Sequence, residues 1–89
     1  MNSIILIVED DPDIRDFLQE YLRDHRYTVY VADKGTQAIT LVDKVHPDLV
    51  ILDLGLPDMD GESVCALIKE DYPTLPVLIL TASTDSKRW

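Results

Sequence analysis

Asp48-Leu49-Val50-Ile51-Leu52-Asp53-Leu54-Gly55-Leu56-Pro57-Asp58-Met59-Asp60-Gly61 is the stretch that decides the fold of this chain. The unbroken apolar run Leu49 to Leu52 reads as a strand buried on both faces, and it ends in the carboxylate of Asp53. Strands of that kind belong to parallel sheets, which bind ligands beyond the strands' carboxyl ends. A second run, Ile4 to Val8, ends the same way in Glu9-Asp10-Asp11. Two buried strands delivering carboxylates to one rim point to a divalent-metal pocket with a nucleophilic or ligating aspartate.

Working outward, strand and helix patterns alternate. The first strand spans residues 3–8. Asp11 is placed to cap a helix with Pro12 in its first turn, and Ile14, Phe17, Leu18, Tyr21 and Leu22 make one apolar stripe, predicted to face inward. Basic residues from Arg23 to Arg26 suit that helix's negative end. Residues 27–32 form a second strand, interrupted by Thr28 and read as an edge. A helix over 36–45 turns Ala38, Leu41, Val42 and Val45 inward and is broken by His46-Pro47. The third strand spans 48–53. Asp60-Gly61 opens a third helix to about Asp71, with Val64, Leu67 and Ile68 inward, and Cys65 reads as a small buried filler. After a Pro-containing loop, residues 77–81 make a fourth strand, again continuously aliphatic. The expectation is a single β-α-β-α-β-α-β unit.

Size and charge narrow the chemistry. Eighty-nine residues suit one small domain, and 46% hydrophobic residues argue against disorder. A net charge of −9, from 17 acidic and 8 basic residues, opposes direct nucleic-acid binding by this segment, which needs a basic face. Cys65 stands alone, so there is neither an internal disulfide nor a cysteine zinc site. The N-terminal apolar run is too short for a signal peptide and lacks a basic lead, and no run approaches the roughly 18 apolar residues of a membrane span. These features lead to the expectation of a cytoplasmic protein with no membrane partner.

Glu9 and Asp10 end the first strand, Asp53 the third and Thr81 the fourth. In a doubly wound sheet the first and third strands are neighbours where the winding reverses, which opens a crevice. Carboxylates converging there repel one another and favour a cation. Oxygen ligands without His or Cys suit Mg2+ better than zinc or copper. Magnesium would also make an aspartate a feasible phosphoryl acceptor, because it neutralises oxygens of the transferred group. The Thr81 hydroxyl would reach the new phosphoryl oxygens.

Three segments carry a resemblance to a known family: Ile4 to Asp11, Asp48 to Gly61, and Pro76-Val77-Leu78-Ile79-Leu80-Thr81-Ala82. In order and spacing they resemble the receiver domains of two-component response regulators. The resemblance implies a flavodoxin-like α/β fold, a doubly wound parallel sheet in the order 2-1-3-4. It implies Asp53 as phosphoacceptor and Asp10 as a direct Mg2+ ligand. Glu9 would hold the ion largely through water, and the Gly55 backbone carbonyl would add a further ligand. Thr81 would be the switch hydroxyl, with the Ala82 amide close to the phosphoryl group. Asp11 ranks below Glu9 and Asp10, as a helix cap. The donor would be a sensor histidine kinase or phosphotransfer protein. Against the family pattern, residues 1–82 read as a receiver domain lacking its fifth strand and last two helices, with 83–89 a polar tail where the fourth helix would start. The family's fifth-strand lysine has no counterpart, and Lys87 lies in that tail.

Other motifs fall away. His25 and His46 sit at helix ends without a nucleophile partner. Asp58-Met59-Asp60-Gly61 fails as a calcium loop, because Leu56 and Leu67 would occupy the first and twelfth ligand positions. No glycine-rich nucleotide motif is present. A phosphohydrolase with an aspartyl nucleophile would carry a second acid where Gly55 stands, so no enzyme is expected. Two functions remain open: a phosphoryl-accepting signalling domain, or a non-signalling receiver fragment acting as a self-associating or interaction module. Because the fourth strand is aliphatic on both faces, an isolated chain is expected to form a homodimer through that edge and the 83–89 tail, burying Trp89.

Overall fold

A computed structural model describes residues 3–80; Met1, Asn2 and residues 81–89, including Thr81, Ala82 and Trp89, lie outside the described residues. Four strands, β1 (Ile4–Val8), β2 (Thr28–Ala32), β3 (Leu49–Asp53) and β4 (Val77–Leu80), alternate with three helices, α1 (Pro12–Asp24), α2 (Gly35–Val45) and α3 (Gly61–Asp71). The sheet is parallel throughout, in the order β2-β1-β3-β4. This is the expected flavodoxin-like arrangement. Its winding reverses between β1 and β3, where Val8 pairs with Leu52.

The helices begin where the caps allow. The Asp11 side chain accepts from the backbone N–H groups of Asp13 (2.9 Å) and Ile14 (3.4 Å), and Pro12 fills the first turn of α1. Asp60 caps α3 through the Ser63 N–H at 2.8 Å. At the end of α2, His46 adopts a left-handed conformation (φ 49°) ahead of Pro47, which ends the helix. Expected and observed boundaries differ by a residue or so, the usual uncertainty of fraying ends.

Two cores flank the sheet. Leu6, Val8, Val50 and Leu52 face α2 and α3, joining Ala38, Val42, Val64 and Ile68. Ile5, Ile7, Val29 and Ile51 face α1 and receive Leu18 and Leu22. The two-residue period of a strand explains why β1 and β3 must be apolar throughout.

Three expectations of burial are corrected. The α1 stripe does not turn inward as a whole: Phe17 and Tyr21 are 66% and 52% exposed and stack on each other at 6.3 Å between ring centroids. A helix lying on a sheet buries only its contact line, here Leu18 and Leu22, and the rest of a wide stripe stays in water unless another element covers it. Leu67 is 44% exposed for the same reason, since α3 meets the core through Val64 and Ile68. Cys65 is only partly buried, at the margin of the α2–α3 core. Strand β4 lies at the sheet edge, with Leu78 and Ile79 52% and 40% exposed. Among the described residues it is the apolar edge expected of a fourth strand that is aliphatic on both faces.

Candidate functional site: an acidic rim at the strand ends

The β1 and β3 strands run parallel and side by side, so their last residues arrive together. Glu9 follows Val8 and is tied to β2 by its N–H, which donates to the Ala32 carbonyl at 3.0 Å. Asp53 closes β3, pairing with Leu80 of β4. Carboxylate oxygens of Glu9, Asp10 and Asp53 all lie within 4.8 Å of one another. Glu9 and Asp53 are 2% and 5% exposed, whereas Asp10 is open to solvent.

Burial is the main cause that lifts the Glu9 carboxyl from 4.5 to about 7, followed by hydrogen bonding with the Asp53 carboxyl. The Asp11 N–H, 3.4 Å from Glu9 Oε2, opposes this weakly. Near neutral pH the cluster is thus poised between binding a proton and binding a cation. Three hard oxygen donors around a small gap, one exposed to water, fit a magnesium-sized ion that retains part of its hydration.

Gly55 lies two residues beyond Asp53. Among the described residues, a Cβ built on it would meet Asp53 Oδ2, at 3.8 Å, so the glycine backbone passes beside the carboxylate. Gly61 closes the β3–α3 loop by donating its N–H to the Leu54 carbonyl at 3.0 Å. A side chain there would strike the Asp53 carbonyl oxygen and Leu54 Cα, both at 2.6 Å. The acidic rim therefore sits on a loop with little freedom. The chain matches the response regulator receiver domain family model over residues 5–88. It belongs to that family.

Relatives place this receiver more closely. It is 42% identical over 86 residues to the DNA-binding response regulator MtrA of Mycolicibacterium smegmatis, covering 97% of this chain and 37% of that protein. The chain thus spans little more than a third of the curated relative. Among solved structures, a putative response regulator from Chloroflexus aurantiacus superposes with a TM-score of 0.90 at 34% identity, over 99% of this chain and 74% of that one. The BeF3-activated N-terminal receiver domain of RstA from Klebsiella pneumoniae gives 0.88 at 31% identity, over 97% and 73%. Receivers are signalling domains of two-component systems rather than classical enzymes, and they generally bind Mg2+ in an acidic pocket.

Of the residues singled out from sequence, Glu9, Asp10 and Asp53 come together, the Gly55 backbone lies beside Asp53, and Asp11 turns away to cap α1. Thr81 and Ala82 follow β4 and lie outside the described residues. The sequence reading missed Asp58, whose carboxylate reaches the start of α2. Its one signal was Lys34, a residue with no acceptor side chain where α2 needs a cap. A cleft of about 390 Å³ beside His46, Asp48, Tyr72 and Pro73 lies at the opposite end of the sheet, away from the acidic rim. Among the described residues, no helix is long and apolar enough to cross a membrane.

Proposed function

We propose that this chain is the phosphoryl-accepting part of a two-component system, with Asp53 as the acceptor. The observation that carries the reading is the convergence of Glu9, Asp10 and Asp53 within 4.8 Å at the carboxyl end of the sheet. Asp10 and Asp53 would bind Mg2+ directly, Glu9 largely through water, and the Gly55 carbonyl would add a neutral oxygen. When bound, Mg2+ neutralises the oxygens of the arriving phosphoryl group. The Asp53 oxygen then attacks phosphorus in line, the bond to the donor nitrogen of a histidine breaks, and the nitrogen keeps the electron pair. The Thr81 hydroxyl and the Ala82 amide would receive the phosphoryl oxygens. The donor is a sensor histidine kinase or phosphotransfer protein in the cytoplasm.

Incubation with acetyl phosphate and Mg2+, read by mass spectrometry, tests this reading. A phosphoryl adduct on Asp53 that is abolished by Asp53→Asn is expected. An adduct on another carboxylate, or none with either acetyl phosphate or a phosphorylated donor, would overturn it.

The exposed β4 edge favours a second reading. Leu78 and Ile79 present apolar side chains on opposite faces of a strand that, among the described residues, pairs only with β3. We infer that a second copy of the chain covers this edge, making the protein a self-associating or interaction module even where phosphoryl transfer fails. Its charge of −9 opposes direct contact with nucleic acid, so any output of that kind belongs to another segment or partner.

A further inference from the structure

The β3–α3 loop, residues 54–60, carries Gly55 past the Asp53 carboxylate and is fastened at several points. Leu56 and Met59 pack against the α2–α3 core, and Asp60 caps α3. One fastening has no local origin. The Asp58 carboxylate accepts from the Gly35 N–H at 2.7 Å, the Thr36 N–H at 3.1 Å and the Thr36 hydroxyl at 3.1 Å. It thereby supplies the cap that α2 lacks, because Lys34 makes no side-chain capping bond. Gly35 permits the approach: a Cβ there would lie 2.7 Å from Val64 Cγ2 and 2.9 Å from Met59 Sδ. The Gly35 N–H, above all, holds the Asp58 carboxyl below the usual aspartate range, so the clamp is ionised at neutral pH.

We propose that Asp58 is a positioning residue for the cation site: by tying the β3–α3 loop to the amino end of α2, it holds the Gly55 backbone beside the Asp53 carboxylate. The inference rests on the Mg2+ reading above. Gly55 is exposed and has no side chain to pack, so among the described residues it is restrained through its chain neighbours. On one side Leu54 donates its N–H to the Leu80 carbonyl at 3.3 Å; on the other, the first polar anchor among the described residues is Asp58. A glycine loses more conformational freedom than any other residue when its carbonyl is fixed to an ion. A three-bond clamp imposes that order before the ion arrives, and preorganisation of this kind appears as affinity.

The test is a Mg2+ titration of the 89-residue chain, followed by calorimetry and by the Gly55 amide resonance. Asp58→Ala is expected to weaken Mg2+ binding about tenfold, the low end for outer partners of a metal ligand, and to broaden the Gly55 amide before any Mg2+ is added. Asp58→Asn keeps only one of the two acceptor oxygens that the clamp uses, so its affinity and its Gly55 line width should fall between those of wild type and Asp58→Ala. Lys44→Gly, exposed in the last turn of α2 and away from Gly35 and Thr36, should lower the melting temperature and leave Mg2+ affinity unchanged. Wild-type affinity in Asp58→Ala would overturn the proposal. Weaker binding in Asp58→Ala with an unbroadened Gly55 amide would overturn it in favour of charge alone, and an equal loss in Lys44→Gly in favour of helix stability alone. If wild type and Asp10→Asn respond identically to Mg2+, the metal reading itself fails and this inference falls with it.

Discussion

Glu9 and Asp53 stand at the ends of neighbouring strands, 2% and 5% exposed, with carboxylate oxygens inside a 4.8 Å cluster. Two carboxylates so close and so dry cannot both ionise cheaply. The proton on Glu9 and a cation at the rim therefore compete for the same oxygens.

The first expectation follows from the raised carboxyl of Glu9, which titrates near 7 rather than 4.5. The folded state binds the proton more tightly than the unfolded chain, so this contribution to stability is complete below about 4.5 and is lost as pH rises through about 7. In EDTA, melting temperatures should fall over that window by an amount corresponding to no more than about 3 kcal/mol. Glu9→Gln should flatten the profile. Mg2+ affinity should rise over the same window, and a wild-type melting profile parallel to that of Glu9→Gln would contradict the assignment.

Asp53→Asn removes one of the converging charges while keeping the shape of the side chain. Without Mg2+ it should melt higher than wild type, and added Mg2+ should no longer raise its melting temperature. An unchanged or lower melting temperature in EDTA would show that repulsion at the empty rim is not a significant cost.

Gly61→Ala forces a methyl group to within 2.6 Å of both the Asp53 carbonyl oxygen and Leu54 Cα. Neither backbone atom can rotate away, so destabilisation toward the upper end of about 1–3 kcal/mol is expected, together with weaker Mg2+ binding. Chemical denaturation reads the first effect and Mg2+ titration the second. A neutral result would mean that the loop closes differently in solution.

Ile68 and Leu67 are adjacent in α3 but face different surroundings, 2% against 44% exposed. Ile68→Ala should cost about 2–4 kcal/mol through the cavity it leaves. Leu67→Ala should fall within about 0.5 kcal/mol of wild type. Similar losses at both positions would indicate that something covers Leu67 in solution.

Self-association is read from β4. Light scattering should show a dimer that depends on protein concentration, and Leu78→Lys, which places a charge on the open edge, should shift it toward monomer. A wild-type chain that remains a monodisperse, cooperatively folded monomer at high concentration would remove the second copy from the account.

Much of this was legible in the chain because the signals were local. Asp11 and Asp60 cap the helices that follow them, since a cap needs only a side chain two or three residues from the N–H groups it serves. The acidic rim was legible for a related reason: in a parallel sheet, whatever follows a buried aliphatic run lands at the same end as its neighbours. Asp58 was not, because the N–H groups it serves lie 22 and 23 residues earlier in sequence. Nor was the exposure of Phe17, Tyr21 and Leu67, because periodicity gives the width of an apolar stripe but not the width of the surface it meets.

The sequence by itself determined the alternation of strands and helices, the strand ends that carry Glu9, Asp10 and Asp53, and a composition suited to a hard cation rather than to a nucleic acid. Those follow from side-chain chemistry read at short range along the chain. The tertiary structure alone decided which carboxylates leave the water, how far burial lifts Glu9, and how Asp58 fastens the loop that passes over Asp53. It also decided that Phe17, Tyr21 and Leu67 stay in water. Desolvation, proton sharing and long-range capping depend on which elements pack together, and no local pattern encodes that.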